Sequence, residues 1–101
     1  MSDKEPAKGN LTSVWYVYII KCIDRKLYTG ITKDVNRRLA EHNSGHGGRF
    51  TRVRRPMKLV YSQKVSGKPE ALKREAEIKK LSRGEKLDLI RALQERNIVK
   101  R

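Results

Sequence analysis

The chain has 101 residues, 25 of them Lys or Arg against 11 Asp or Glu, giving a net charge of +14 and a sequence pI near 10.4. That length supports one domain with a modest core, and the excess of cations points to a polyanionic partner, nucleic acid before any other. A membrane role is disfavoured, since no helical stretch sets a cationic face against Trp or Phe and no segment approaches transmembrane length; the single cysteine, Cys22, excludes an internal disulfide and fits a reduced, cytoplasmic setting.

Met1 to Asn10 is charged and rich in small residues, with no apolar run of the signal-peptide kind. Residues 1–12 are therefore expected to form a disordered tail, residues 13–95 the folded domain and residues 96–101 a basic C-terminal tail. From Val14 to Cys22 β-branched and aromatic residues predominate, which predicts a strand. Asp24-Arg25 supplies a turn, and Lys26 to Ile31 completes a hairpin. Side chains alternate faces along a strand, so Tyr16, Tyr18, Ile20 and Cys22 share one side of the first strand and Lys26, Tyr28 and Gly30 one side of the second. Tyr18 and Tyr28 can therefore meet.

Thr32 or Asp34 can cap a helix that runs to about Asn43, after which Ser44-Gly45-His46-Gly47-Gly48 breaks regular structure. On a wheel of roughly 100° per residue, Val35, Leu39 and His42 fall within about 60° of one another, Arg38 lies about 40° beyond His42, and Arg37 points away. Arg38 and His42 thus border the buried face. By geometry alone a solvated charge and a satisfied boundary histidine are the favoured readings.

Gly48 to Arg55 then sets Arg49, Arg52, Arg54 and Arg55 around a stacking-capable Phe50. This basic loop suits phosphates, with affinity that depends on salt and hardly on sequence; a solvated basic loop is the plainer reading. Pro56 ends it, and Met57 to Ser62 alternates like a third strand. Gly67 and Pro69 open a helix ending near Leu81. Glu75 shares a face of that helix with Ala71 and Ile78, whereas Glu77 falls opposite. Glu75 suits either a metal ion or a salt bridge with Arg74 or Lys79. Ser82-Arg83-Gly84-Glu85 fits a capping box before a last helix striped by Leu89, Ile90 and Leu93. One cysteine and two histidines build no usual structural zinc site, no Walker loop or dinucleotide fingerprint occurs, and His46 has no evident partner.

Tyr16-Val17-Tyr18 and Tyr28-Thr29-Gly30, an arginine ten residues past Tyr28 (Arg38), a histidine four further (His42) and a glutamate in Arg74-Glu75-Ala76-Glu77-Ile78-Lys79-Lys80-Leu81 stand in one order along the chain. In that order and spacing the sequence resembles the GIY-YIG nuclease superfamily over about residues 14 to 93, in its short stand-alone bacterial form. Tyr16 departs from the pattern, standing where glycine is usual, and is read as a sheet aromatic. The resemblance implies an α/β fold of the α+β kind, a small three-stranded antiparallel sheet flanked by helices. It implies a metal-dependent endonuclease that hydrolyses phosphodiester bonds, DNA in preference to RNA, of the kind that serves repair or recombination. It further implies that Tyr18 activates water with help from Tyr28 or His42, that Arg38 grips the phosphate, and that Glu75 holds one divalent ion, Mg2+ or Mn2+. Nucleic-acid contacts are expected from Arg49, Arg52, Arg54, Arg55 and Lys79. The competing readings are a nucleic-acid-binding module of the same fold without effective hydrolysis, and an interaction protein with a basic face for acidic partners. No protein partner is deducible.

Overall fold

The segment that best explains the architecture is β1 (Val14–Lys21), because it is apolar on both faces. Val17 and Ile19 point one way, Tyr18 and Ile20 the other, and all are at most 3% exposed. A strand buried on both sides belongs in the middle of a sheet, and β1 does sit between β2 (Leu27–Thr32) and β3 (Lys58–Ser66), antiparallel to both. The structure, a computed structural model, describes residues 14–99 and the side chains of residues 14–96. The expected N-terminal tail lies outside the described residues.

The register against β2 pairs Tyr18 with Gly30 and Ile20 with Tyr28, which brings the two tyrosines onto one face as diagonal neighbours. Against β3 the register shifts between Ile19, opposite Tyr61, and Ile20, opposite Leu59. Val60 is the extra residue of this bulge. β3 continues past Ser62 to Ser66, because its partner is the whole of β1 as far as Val14; cross-strand pairing overrides the polar Gln63-Lys64 that suggested an earlier end.

Helix α1 (Val35–Asn43) starts where Asp34 Oδ1 accepts from the Arg37 amide at 3.0 Å, while Thr32 Oγ1 accepts from the Asp34 amide at 3.1 Å. Both candidate caps act, one supporting the other. The loop read as irregular contains a short helix, α2 (Arg49–Arg52), entered through Gly48 at φ 119°, a value that glycine adopts without a Cβ clash. Helix α3 (Lys68–Lys79) opens on Pro69, and α4 (Arg83–Val99) opens on the capping box, with the Ser82 amide donating to Glu85 Oε1 at 2.8 Å and the Glu85 amide to Ser82 Oγ at 3.2 Å. Since α4 runs to Val99, the boundary expected after residue 95 falls inside a helix.

These helices cover the two faces of the sheet unequally. Val17, Ile19 and Tyr61 pack with Ala71 and Ile78 of α3 and Ile90 of α4, joined by Trp15, Ile31, Leu87 and Leu93. This is the larger core. On the other face Tyr18, Ile20, Cys22 and Met57 pack with Tyr28, Leu59 and Leu39 of α1. The end of α1 is tied to β3 by Asn43, whose amide nitrogen donates to the Met57 carbonyl at 3.1 Å and whose oxygen accepts from the Met57 amide at 2.6 Å. No described helix is long and apolar enough to cross a membrane.

Two substitutions should separate core packing from this tie. Ile78→Ala, at a position with no exposure, is expected to destabilise by about 2–5 kcal/mol, and Asn43→Ala by about 1–2 kcal/mol through its lost bonds. Urea unfolding monitored by circular dichroism checks the order; a larger loss at Asn43 would show that the α1–β3 tie, and not the α3 face, limits stability.

Candidate active site

Tyr18 occupies the centre of β1 and its phenol lies across the backbone of β2. A Cβ built on Gly30 would stand 2.6 Å from the Tyr18 hydroxyl and 2.7 Å from the ring carbon bearing it. Only glycine leaves that space. The hydroxyl reaches His42 Nε2 at 2.9 Å, and the other ring nitrogen, Nδ1, meets Thr51 Oγ1 at 2.9 Å. His42 is fully buried and Thr51 1% exposed, so the histidine expected at the border of the buried face lies wholly within it. Gly47 closes the pocket from the loop: a Cβ there would collide with His42 Nδ1.

Tyr28 stands edge-on to the imidazole, with ring centroids 5.4 Å apart, and stacks on its other side with Phe50 of α2 at 5.8 Å. Arg38 flanks the group. Its guanidinium donates to Glu41 Oε1 at 2.9 Å and to the Gly47 carbonyl at 3.3 Å, and its side chain remains 31% exposed. Burial pushes the Tyr18 hydroxyl above the ordinary range for a phenol, while the Arg38 guanidinium pulls it back and the charges of Tyr28 and Glu75 add smaller upward pushes. Burial, and then the positive charge of Arg38, hold the His42 pKa below its usual value, against a weaker opposite effect of Glu41. The imidazole is therefore neutral near pH 7.

Glu75, on α3, lies near enough to Tyr18 for its charge to raise that hydroxyl's pKa. It lies on the Ala71–Ile78 side of α3, 18% exposed, and pairs with Lys79 Nζ at 3.2 Å. Glu77 sits on the open side, bonded to Arg74 at 3.0 Å. Of the two readings for Glu75, the ion pair is present, with Lys79 and not Arg74 as its partner, so Lys79 serves a carboxylate as well as adding to the basic surface. Among the described residues no cluster of three or more His, Cys, Asp or Glu could cage a metal. Glu75 alone fits Mg2+ or Mn2+ in the manner that uses one carboxylate, several waters and substrate phosphate oxygens.

The basic segment divides. Arg49 and Arg52 are exposed on α2. Arg54, expected to meet phosphates, is engaged internally: it donates to Asp24 Oδ2 at 3.0 Å and to the Phe50 carbonyl at 2.8 Å, and its guanidinium lies 4.0 Å from the Phe50 ring centroid. This clamps α2 to the hairpin turn. Arg55 donates to the Arg52 carbonyl at 2.9 Å and packs beside Gly45. His46 does have a partner, Ser44 Oγ at 2.9 Å. Thr51, Gly47 and Glu41 went unnoticed in the sequence, where a threonine among arginines and one glycine among several carry no distinguishing signal.

The arrangement has relatives. A family model described as the GIY-YIG catalytic domain matches residues 14–88. A UPF0213 protein of Staphylococcus saprophyticus is 53% identical over 75 residues, covering 74% of this chain and 92% of that protein. One of Staphylococcus aureus is 55% identical over 76 residues, covering 75% and 93%. Among structures solved by solution NMR, a UPF0213 protein from Bacillus halodurans superposes with a TM-score of 0.52 at 44% identity, covering 78% of this chain and 84% of that one. A protein from E. faecalis gives 0.57 at 34% identity, covering 84% and 91%. With the tripeptides paired on adjacent strands of a three-stranded antiparallel sheet and the family model spanning that sheet and its helices, the chain belongs to the GIY-YIG catalytic domain family.

Proposed function

We propose that this chain is a divalent-metal-dependent endonuclease that hydrolyses phosphodiester bonds in nucleic acid, DNA in preference to RNA, with Tyr18 as the group that activates water. The observation that carries the reading is the 2.9 Å bond between the Tyr18 hydroxyl and the buried, neutral His42, with Arg38 beside the phenol. A phenol is a poor base until it loses its proton. Here the proton has a destination: as it moves to His42 Nε2, the phenolate oxygen takes a proton from water, and that water's oxygen attacks phosphorus as the opposite P–O bond breaks and the leaving oxygen takes a proton from solvent.

Arg38 would hold two phosphate oxygens with its planar fork as negative charge grows on them. Tyr28 fixes the imidazole's orientation from the side. Glu75 would hold the metal ion, which when bound neutralises charge on the phosphate and on the leaving oxygen. Arg49 and Arg52 would supply phosphate contacts, with Arg55 and Lys79 adding charge and Arg54 keeping the segment in shape. The single thiol, Cys22, is buried and unpaired, which suits a reduced cytoplasmic setting. Binding without cleavage is the competing reading, favoured by the counter-ions that Arg38 and Glu75 already carry, Glu41 and Lys79.

Three outcomes test the catalytic reading with labelled DNA and RNA in Mg2+ or Mn2+. Glu75→Ala should leave the fold and low-salt binding intact and abolish cleavage, with Glu77→Ala as the neutral control; cleavage equal to wild type would remove Glu75 from the site. Arg38→Lys keeps the charge and loses the fork, so cleavage should fall by about 100-fold with little change in binding. A fully active lysine variant would reduce Arg38 to a surface charge. The acid limb of kcat/KM should lie below the unperturbed histidine value of about 6.5, because His42 accepts a proton only when neutral and its pKa is lowered. His42 also favours the unfolded state as it takes up a proton, so stability should decline as pH falls through the same range. A limb above that value would indicate a different base.

A further inference from the structure

Resting on the reading of Tyr18 as the water-activating group, we infer that Thr51 is a positioning residue that holds His42 as the Nδ1–H tautomer and so leaves Nε2 free to take the Tyr18 proton. Tyr18 is 3% exposed, and passing its proton to the imidazole requires its hydroxyl to donate to the ring. Its hydrogen-bond partner is His42 Nε2. If Nε2 accepts, the single ring proton of a neutral imidazole sits on Nδ1, and that N–H needs an acceptor inside a pocket closed to water. Thr51 Oγ1, at 2.9 Å, is that acceptor.

The other groups around the ring do not compete for this place. Tyr28 of β2 presents its ring edge, Arg38 of α1 is a donor already bonded to Glu41 and to Gly47, and Glu41 is turned to Arg38. Gly47 fills the remaining space beside Nδ1 with backbone. The reverse arrangement, with Thr51 donating to Nδ1 and Nε2–H directed at Tyr18, would leave no free ring nitrogen to take the Tyr18 proton, as the proposed water activation requires. The result resembles a triad in which the third member orients a histidine without carrying charge. Because Thr51 lies between Arg49 and Arg52 on α2, the residue that sets the tautomer is on the element that would also meet phosphates.

The test uses the whole chain labelled with 15N in the histidine rings. Ring 15N–1H correlation spectra assign the His42 proton, and the exposed His46 is distinguished by His46→Gln. The expected wild-type spectrum has Nδ1 protonated and Nε2 bare. Thr51→Val, equal in shape but without the hydroxyl, should shift the proton to Nε2 and slow cleavage by about 10- to 100-fold, the usual cost of losing such an outer partner, with low-salt nucleic-acid binding unchanged. Thr51→Ser, which restores the oxygen, should recover both the tautomer and the rate. A wild-type ring protonated on Nε2, or a folded valine variant that keeps the Nδ1 proton and the wild-type rate, would overturn the role of Thr51. The spectrum is read on the free protein: a chain that cleaves nothing yet shows the threonine-dependent tautomer would sustain the positioning role and sink the nuclease reading.

Discussion

A fully buried imidazole bonded at both nitrogens holds the candidate-site face of this domain together. An unpaired polar atom at that depth costs about 1–3 kcal/mol, so burying His42 is stable only if β1 delivers Tyr18 and α2 delivers Thr51 to opposite sides of the ring. Each bond then fixes more than itself. The bond to Tyr18 sets the last turn of α1 against the middle of the sheet, and the bond to Thr51 seats a four-residue helix too short to persist alone. The glycines are the spatial counterpart, with Gly30 clearing room for the phenol and Gly47 for the imidazole.

The few carboxylates are distributed to direct cations more than to neutralise them. Asp24 meets Arg54, Glu41 meets Arg38, Glu75 meets Lys79 and Glu77 meets Arg74. Pairs this exposed contribute only about 0–1 kcal/mol each. Their effect is on orientation: Arg38 is held in place by Glu41, and Arg54 is turned over Phe50 toward Asp24. The strong positive field belongs to the residues left over, among them Arg49 and Arg52 on α2.

What was legible in the sequence was what local periodicity controls. Alternation along β1 and β2 put Tyr18 and Tyr28 on one face, the helical wheel put Arg38 and His42 side by side, and the spacing of Ala71, Glu75 and Ile78 separated Glu75 from Glu77. The caps at Asp34 and Ser82 were readable because their bonds span three residues. The rest depends on contacts that no short window contains. Thr51 reaches His42 across a glycine-rich turn, Arg54 reaches Asp24 thirty positions away, and the end of β3 is decided by the length of β1. His42 read as a boundary residue because its wheel position omits the loop that folds over it.

The approach of Tyr18 to Gly30 has a consequence for how sequence variation in such a domain should be interpreted. With the phenolic oxygen lying where a methyl group at position 30 would go, even the smallest side chain there must move Tyr18 off His42 or push the two strands apart. Such a chain would retain every side chain of the candidate site and its whole basic surface, yet lack the Tyr18–His42 hydrogen bond on which the proposed proton transfer depends. Inactivity would then be a matter of volume, and an inventory of intact functional groups would misclassify the protein as competent.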